Sequence, residues 1–325
     1  MLGTHVLPDG KIRFLYHDTS AHQAAVAGNF SDWRPLGMAP KGDGWWVIEL
    51  GPMPDADYFY KFVTHTGWHP DQFNYRRDSN GDSSFISVGG HCGHLVRRGF
   101  FSPALGKGKN YIVYLPPHYA ADSWRSFPVI YLMGGLFEGE TGWVDRCHIE
   151  EKLDHLAGTG EAEEAIVVMP DKDDAVFHEN SWGAYFAYLA TDLPQHVESE
   201  YRTLPIRAIE GLSLGAGWAV RLGLTLPERY CSASALSGNF GPDFYELARG
   251  NHDRAAAAGT RIRIACGAGE ENVIPNNAQF AHFLEELGVS SEFHVNEGPH
   301  DWPLWRAQIE NSLRFHSYGF RQRMS

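Results

Sequence analysis

A serine flanked by glycines is the first feature of the chain that suggests chemistry. Gly211-Leu212-Ser213-Leu214-Gly215 reads G-x-S-x-G, follows the apolar residues Ala208 and Ile209, and precedes a helical pattern. At a sharp strand-to-helix turn a serine exposes its Oγ as a nucleophile. The flanking glycines fit because a Cβ at either place would clash where the backbone bends, and the N–H of Leu214 would face a developing oxyanion. The pentapeptide alone is equally compatible with an ordinary Gly/Ser turn.

Two later strand ends carry the partners that a nucleophilic serine needs. The predicted strand 261–266 ends in a turn with Glu270 and Glu271, and the predicted strand 292–295 leads to His300. Open α/β sheets collect active-site residues at the carboxyl ends of their strands, and the order Ser, acid, His is that of α/β hydrolases. The joint pattern therefore favours a catalytic serine over a plain turn.

The composition limits the class of protein and its partners. The chain has 325 residues, 43% of them hydrophobic, and a formal net charge of −13, which fits a soluble globular protein with a sizeable core. This negative charge argues against nucleic acid or an anionic membrane as the main partner. Residues 1–9 lack a basic segment followed by an apolar one, and no apolar run could span a bilayer, so we expect a cytoplasmic protein.

Cysteines and histidines give little indication of a metal site or a disulfide framework. Cys92, Cys147, Cys231 and Cys266 form no C-x-x-C pair, so we expect reduced thiols. The one tight cluster among the 17 histidines is His91-Cys92-Gly93-His94, and no H-E-x-x-H, P-loop or G-x-G-x-x-G accompanies it. We therefore expect neither a metal nor a cofactor.

The pattern of predicted elements changes near residue 90. Short strands are predicted at 11–17, 24–28, 44–50, 57–64 and 84–88, and this spacing favours an antiparallel, immunoglobulin-like β-sandwich. Further on, strands are predicted at 111–115, 128–132, 165–169, 206–210, 231–236, 261–266 and 292–295, and helices at 148–156, 185–200, 216–225, 278–287 and 304–316. Such alternation predicts a mostly parallel α/β sheet. We predict a small all-β domain over 1–90 and an α/β domain over 91–325.

The residues from about 95 to 320 resemble the "Putative esterase" group of α/β hydrolases. That group includes feruloyl and acetyl esterases of plant polysaccharide, enterochelin esterases, S-formylglutathione hydrolases and mycolyltransferases. The matching segments are Tyr114-Leu115-Pro116-Pro117-His118-Tyr119, Tyr131-Leu132-Met133-Gly134-Gly135, Glu140-Thr141-Gly142-Trp143, Gly211-Leu212-Ser213-Leu214-Gly215, Pro227-Glu228-Arg229-Tyr230, Ser237-Gly238 and Gly298-Pro299-His300-Asp301-Trp302. The resemblance implies an α/β-hydrolase fold with Ser213 as nucleophile, His300 as general base and Glu270 as acid.

The mechanism expected from this resemblance is acyl transfer to water in two steps. His300 would take the proton of Ser213, and Glu270 would orient His300. Glu270 is preferred to Glu271 on the alignment of strand ends alone, and Asp301 is a weaker candidate because it adjoins His300 in sequence. The oxyanion would be held by backbone N–H groups, those of Leu214 and of Gly135 or Leu136.

Three positions depart from the pattern of the family. Relatives usually have histidine where Met133 stands, a second glycine where Ala216 stands, and glycine where Pro299 stands. None of these changes removes a catalytic group, although Met133 and Leu136 could reshape the oxyanion loop.

Four aromatic residues fall in segments expected to rim the site. They are Trp143, Trp182, Tyr185 and Trp302. One interpretation is an aromatic acyl pocket, as for ferulate; the other is that these rings pack in the core or at the domain interface.

The residues from about 20 to 90 resemble glycogen-binding modules and the N-terminal domains of branching and debranching enzymes. The matching segments are Val26-Ala27-Gly28-Asn29-Phe30-Ser31-Asp32-Trp33, Tyr60-Lys61-Phe62-Val63 and Gly67-Trp68. The resemblance implies that Trp33, Lys61 and Trp68 hold a glucan, although Ser84 stands where an asparagine is expected. Because many enzymes carry this domain as a packing partner or cleft wall, both interpretations remain.

Together these patterns predict a serine esterase. The substrate would be a carbohydrate-linked feruloyl or acetyl ester, or a siderophore lactone. An inactive glucan-binding or regulatory protein and an acyltransferase are the alternatives. The oligomeric state is not predicted.

Overall fold

The computed structural model describes residues 3–78, 80–90, 92–173 and 181–325. The chain forms two compact units, one made of Met1–Arg98 with Val113–Arg125 and the other of Gly99–Ile112 with Ser126–Ser325. We call them the β unit and the α/β unit. The domain boundary between residues 90 and 91 remains a prediction. His91, the first residue of the His91-Cys92-Gly93-His94 cluster, lies outside the described residues.

Short antiparallel strands form two sheets in the β unit. The strands are β1 (His5–Val6), β2 (Ile12–His17), β3 (Ala25–Gly28), β4 (Leu36–Gly37), β5 (Ala39–Gly42), β6 (Trp45–Leu50), β7 (Ala56–Thr64), β8 (Gly67–His69) and β9 (Ser84–Val88). One sheet has the order β1-β2-β6-β5, and the other has the order β4-β3-β7-β8 with β9 also paired to β7. The pairs in both sheets are antiparallel.

Apolar side chains from both sheets meet in one core. Phe14 of β2 contacts Tyr60 of β7 with ring centroids 5.0 Å apart, and both side chains are fully buried. Along β7, Tyr58, Tyr60 and Phe62 are buried while the alternate residues are more exposed, because successive side chains of a strand point to opposite faces. The predicted immunoglobulin-like sandwich is confirmed.

An eight-stranded sheet carries the rest of the fold. Its strands are β10 (His94–Ser102), β11 (Lys107–Leu115), β12 (Phe127–Met133), β13 (Ile166–Pro170), β14 (Thr203–Leu212), β15 (Tyr230–Leu236), β16 (Arg261–Gly267) and β17 (Ser290–Asn296). Their order is β10-β11-β13-β12-β14-β15-β16-β17, and the pairs from β13 to β17 are parallel. After β13 the chain crosses to the other side of β12 to form β14. Since strand order reverses there, the carboxyl ends of β12 and β14 flank the crevice where such sheets bind ligands.

Helices of the α/β unit follow most of these strands. They are α1 (Gly142–Cys147), α2 (Ile149–Gly158), α3 (Trp182–Ala187), α4 (Leu193–Glu200), α5 (Leu214–Thr225), α6 (Pro242–Ala257), α7 (Val273–Glu286) and α8 (Trp302–Met324). A π-helical turn over Tyr188–Asp192 joins α3 to α4, so the predicted helix over 185–200 is interrupted. The predicted α/β-hydrolase fold with a mostly parallel sheet is confirmed. Among the described residues, none of the helices combines the length and the apolar character needed to cross a bilayer.

Buried polar contacts hold α8 against the strands that support the elbow. His316 of α8 lies 3.1 Å from Glu210 of β14 through Nε2 and 2.8 Å from the Ser232 Oγ of β15 through Nδ1. All three side chains are fully buried, where polar groups need partners. Because α8 begins at Trp302, this anchoring also fixes the chain that follows His300.

Three cysteines are buried thiols, namely Cys147, Cys231 and Cys266. Burial raises the pKa of the Cys147 thiol to about 12 and that of the Cys266 thiol to about 11. Thiolates are the reactive form of cysteine, so these side chains act as small apolar residues of the core.

Candidate active site

Ser213 is the single residue between β14 and α5, and its backbone is strained. Its backbone has φ +52° and ψ −116°, a region that costs a non-glycine residue about 1–3 kcal/mol. Its N–H donates to the carbonyl of Leu236 at 2.8 Å, which ties the turn to the end of β15. The strain is thus held by the neighbouring strand, and the side chain is presented at the carboxyl edge of the sheet.

The glycines on both sides of Ser213 are required by close backbone contacts. A Cβ at Gly211 would lie 2.1 Å from the Gly215 carbonyl oxygen, and a Cβ at Gly215 would lie 2.6 Å from the Gly134 carbonyl oxygen. Such distances leave no room for any side chain. The steric reason that the sequence suggested for these glycines is therefore visible in the structure.

His300 connects the serine to a carboxylate. Its Nε2 lies 3.0 Å from the Ser213 Oγ, and its Nδ1 lies 2.5 Å from the Glu270 Oε1. Because an ionised carboxylate can only accept hydrogen bonds, Nδ1 carries the proton and Nε2 is left to accept from the serine hydroxyl. This is the arrangement in which an imidazole removes a hydroxyl proton.

Buried donors surround the Glu270 carboxylate. Oε2 accepts from the Ser237 hydroxyl at 2.8 Å and from the Gly267 N–H at 2.5 Å. The Ser237 Oγ in turn accepts from the Trp305 indole N–H at 3.0 Å, and the Trp305 ring stands edge-on to His300 with centroids 4.9 Å apart. Glu270 is therefore fixed on both oxygens, and His300 is held between it and an aromatic ring.

These contacts keep Glu270 ionised. Burial by itself would raise the pKa of Glu270, but hydrogen bonds from His300, Gly267 and Ser237 outweigh burial, so the pKa lies below its usual value. A carboxyl group with a depressed pKa in the folded state stabilises the fold above its unfolded pKa, and this contribution is lost as the pH falls through the folded pKa. The carboxylate thus remains available to His300 at mildly acidic pH.

The two neighbouring acids occupy other positions. Glu271 is exposed, whereas Glu270 is buried. Asp301 caps α8, since its Oδ1 accepts from the N–H of Leu304 at 3.2 Å. Of the acids that the sequence left open, the structure brings Glu270 to His300.

The backbone groups expected to hold an oxyanion lie around the serine. Leu214 is the first residue of α5, where the amide has no acceptor within the helix. Gly135 follows β12 closely enough that a Cβ there would lie 3.7 Å from that of Ser213. Leu136 lines the same cavity as Ser213 and Leu214, while Met133 is buried.

A cavity of about 480 Å³ opens beside the serine. It is lined by Leu136, Trp182, Ser213, Leu214, Gly217, Trp218, Arg221, Ser237, Asn239, Gly241, Asp243, Phe244, Val273 and His300. The volume falls within the range of small-molecule sites. Aromatic and aliphatic walls with a few polar groups are what such sites use.

The four aromatic residues that were predicted to rim the site differ in their burial and contacts. Trp182 is 39% exposed and lines the cavity. Trp143 and Tyr185 are each only 1% exposed, so the expectation that they rim the site is corrected. The Trp143 indole donates to the Met133 carbonyl at 3.2 Å, which draws it beneath β12. Trp302 is half-buried, and its indole donates to the Glu138 Oε1 at 2.9 Å.

Several residues that line the cavity escaped the sequence analysis, among them Trp218, Arg221, Asp243 and Phe244. Trp218 and Arg221 lie on the cavity face of α5, which could have been projected from Ser213 by helical periodicity. Asp243 and Phe244 belong to α6, a helix that was not predicted. They come near Ser213 only in the folded chain.

The three residues expected to hold a glucan share one face of the β unit. The rings of Trp33 and Trp68 are 40% and 47% exposed, with centroids 6.4 Å apart. Trp68 is the cross-strand partner of Val63, which points to the same side of β7 as Lys61, away from the buried Tyr60 and Phe62. The structure brings these side chains onto the outer surface of the sheet.

Comparison with known proteins identifies the family. The model of the family described as "Putative esterase" matches residues 102–316, more than half of the chain. The chain therefore belongs to this esterase family.

Curated proteins and solved structures are similar to the chain. An endo-1,4-beta-xylanase/feruloyl esterase of Xylanibacter ruminicola is 27% identical over 253 residues, which is 74% of this chain and 32% of that protein. The chain therefore spans about a third of the length of this relative.

The solved structures show the fold. A ferulic acid esterase structure has a TM-score of 0.65 and 24% identity, and the match covers 71% of this chain and 99% of that one. An enterobactin esterase of Shigella flexneri, solved in the presence of enterobactin, has a TM-score of 0.56 and 16% identity over 94% of this chain and 92% of its own. The second match extends over the β unit as well.

Proposed function

We propose that the protein is a serine esterase that cleaves a carboxylic ester through an acyl-enzyme on Ser213. The observation that carries this proposal is the bridging position of His300, 3.0 Å from the Ser213 Oγ and 2.5 Å from the Glu270 Oε1. A structural serine would need neither the strained turn nor the imidazole. Membership of the esterase family supports the same reaction class.

Each step uses a group already in place. His300 Nε2 takes the proton as Ser213 Oγ attacks the ester carbonyl, and Glu270 stabilises the imidazolium that forms. Backbone N–H groups of Leu214 and of Gly135 or Leu136 hold the oxyanion. His300 then gives its proton to the departing alcohol, which leaves the acyl group on Ser213. In the second step His300 takes a proton from water as the water attacks the acyl-enzyme, and it returns this proton to the Ser213 Oγ as the acid is released.

We propose as substrate a carbohydrate-linked feruloyl or acetyl ester, or a siderophore lactone. The aromatic wall of the cavity supports an acyl group larger than acetyl. The curated relative is named a feruloyl esterase, which supports the first class. The match to an enterobactin esterase over 94% of this chain supports the second through the fold alone.

A fluorophosphonate probe tests the serine mechanism directly. We expect the full chain to gain one probe adduct per molecule, located on the peptide with Ser213 by mass spectrometry, and the Ser213→Ala variant to gain none. The probe needs an activated serine and not a particular acyl group, so the result does not depend on knowing the substrate. An adduct on another residue, or no adduct on the wild type, would refute Ser213 as nucleophile.

A second proposed function is glucan binding by the β unit. It rests on the paired exposed rings of Trp33 and Trp68 beside Lys61. Because sugar rings stack on aromatic faces, we expect the Trp33→Ala/Trp68→Ala double variant to bind glycogen about tenfold more weakly than wild type, as measured by affinity electrophoresis. Trp124→Ala is the matched control, since Trp124 is 83% exposed and belongs to the segment between β11 and β12. Equal mobility of wild type and double variant would contradict the proposal.

A further inference from the structure

The cavity beside Ser213 contains an ion pair that ester cleavage itself does not use. The Arg221 guanidinium of α5 bonds through Nη2 to the Asp243 Oδ2 of α6. The Arg221 side chain is 22% exposed and that of Asp243 is 51% exposed. Both line the cavity that contains Ser213 and His300, so a ligand there can reach the pair.

One face of α5 leads from the nucleophile to this ion pair. Leu214, Gly217, Trp218 and Arg221 all line the cavity, and their spacing of three and four residues places them on one side of a helix. Arg221 is eight residues after Ser213, about 12 Å along the helix axis. Because helical side chains lean toward the N-terminus, the Arg221 side chain is directed back along the axis toward Ser213. The span suits an acyl group that carries one ring and a short connector.

Aromatic rings surround the guanidinium. Its carbon lies 4.9 Å from the centroid of the Phe244 ring and 5.8 Å from those of Trp182 and Trp218. The indoles of Trp182 and Trp218 meet edge to face with centroids 6.3 Å apart. Aromatic pairs favour offset or edge contacts with another ring, so these walls suit a planar aromatic group.

The ion pair offers a donor and an acceptor side by side. A guanidinium has five N–H donors and a carboxylate has about four lone-pair sites, and the bond between them uses few of these. A hydroxyl can accept from Arg221 and donate to Asp243 at once. A carboxylate on the ligand could accept from Arg221, but it has no proton to donate to Asp243 and would be repelled by that side chain. An unsubstituted ring would give neither group a new partner.

We propose that Arg221 and Asp243 determine specificity for an aromatic acyl group by binding a phenolic hydroxyl at its far end. The proposal rests on the esterase function proposed above and narrows its substrate class to esters of hydroxylated aromatic acids. The ester carbonyl lies at Ser213, the ring lies among Trp182, Trp218 and Phe244, and the hydroxyl meets the ion pair.

Matched esters test this assignment. We expect the wild type to hydrolyse methyl 4-hydroxycinnamate with a kcat/KM about tenfold higher than methyl cinnamate, the gain typical of one or two added hydrogen bonds. In Arg221→Met this ratio should fall to about one, and in Asp243→Ala it should fall by at least about threefold. A ratio within one enzyme is insensitive to the fraction of molecules that fold.

Arg254→Met is the matched control. Arg254 of α6 also pairs with a carboxylate, Glu228, but it does not line the cavity, so the wild-type ratio should remain. A wild-type ratio near one, a ratio that survives in Arg221→Met, or faster hydrolysis of methyl 4-carboxycinnamate would overturn the proposal. So would turnover of p-nitrophenyl acetate without turnover of any cinnamate ester.

The fluorophosphonate result separates this proposal from the esterase function. An enzyme labelled at Ser213 that ignores the hydroxyl keeps the esterase function and loses the specificity assignment. An enzyme that is not labelled at Ser213 loses both.

Discussion

Replacement of Ser213 by alanine is expected to lower kcat for p-nitrophenyl acetate by about 10⁴- to 10⁶-fold, the loss typical of a missing serine nucleophile. Without the Oγ, no acyl-enzyme forms and His300 has no hydroxyl to deprotonate. The fold should persist because alanine keeps the Cβ of serine and leaves the N–H bond to Leu236 in place. Initial rates under substrate saturation, with thermal unfolding as the check on folding, measure the effect.

Ser199→Ala serves as the control for this experiment. Ser199 is an exposed residue of α4 whose hydroxyl donates to the His196 carbonyl. We expect its kcat to stay within about twofold of wild type, as surface changes usually do. Equal rates in wild type and Ser213→Ala would show that another residue attacks the ester.

Glu270→Gln is expected to lower kcat by about 10³- to 10⁴-fold, whereas Glu271→Gln should leave it within about twofold. The amide cannot stabilise the imidazolium, and its NH₂ group favours the histidine tautomer that cannot accept from Ser213. Glu271 is adjacent in sequence but exposed, so it supplies the same substitution outside the His300 contact. Steady-state rates of both variants at saturating p-nitrophenyl acetate measure kcat.

The opposite ranking of these two variants would assign the acid to Glu271. Equal and small losses in both would indicate that His300 needs no carboxylate partner. In Glu270→Gln the donors of Ser237 and Gly267 face an amide in place of a carboxylate, which can lower the stability of the fold. The thermal unfolding of each variant is therefore measured beside its rate. A loss of kcat without a loss of folded protein separates catalysis from stability.

Much of the α/β unit could be predicted because its signals are local. The strands that end at Leu212 and Gly267 are rich in apolar and β-branched residues, and the strand that ends at Asn296 precedes His300. The rule that active sites collect at strand ends then predicted that Ser213, Glu270 and His300 lie close together. α6 was missed because only Phe244, Ala248 and Ala255 of its residues are buried. So few apolar positions along the helix give only a weak helical periodicity in the sequence.

The β unit shows the same limit at shorter lengths. The strands around Phe14, Val26 and Tyr60 were predicted because each is an apolar segment bounded by turn residues. β4 and β8 have two and three residues, too few to display a period of two. They form because longer neighbours, β3 and β7, provide the hydrogen-bonding edges.

The sequence by itself determined the elbow at Ser213, the order of serine, acid and histidine along the chain, and the two-part architecture. These depend on contacts between near neighbours or on the periodicity of single elements. Only the tertiary structure decided that Glu270 and not Glu271 meets His300, that Trp182 lines the cavity while Trp143 is buried, and that Arg221 pairs with Asp243. Each of these outcomes depends on the direction in which a side chain points after elements distant in sequence have packed together. The local sequence of a turn or loop does not indicate that direction.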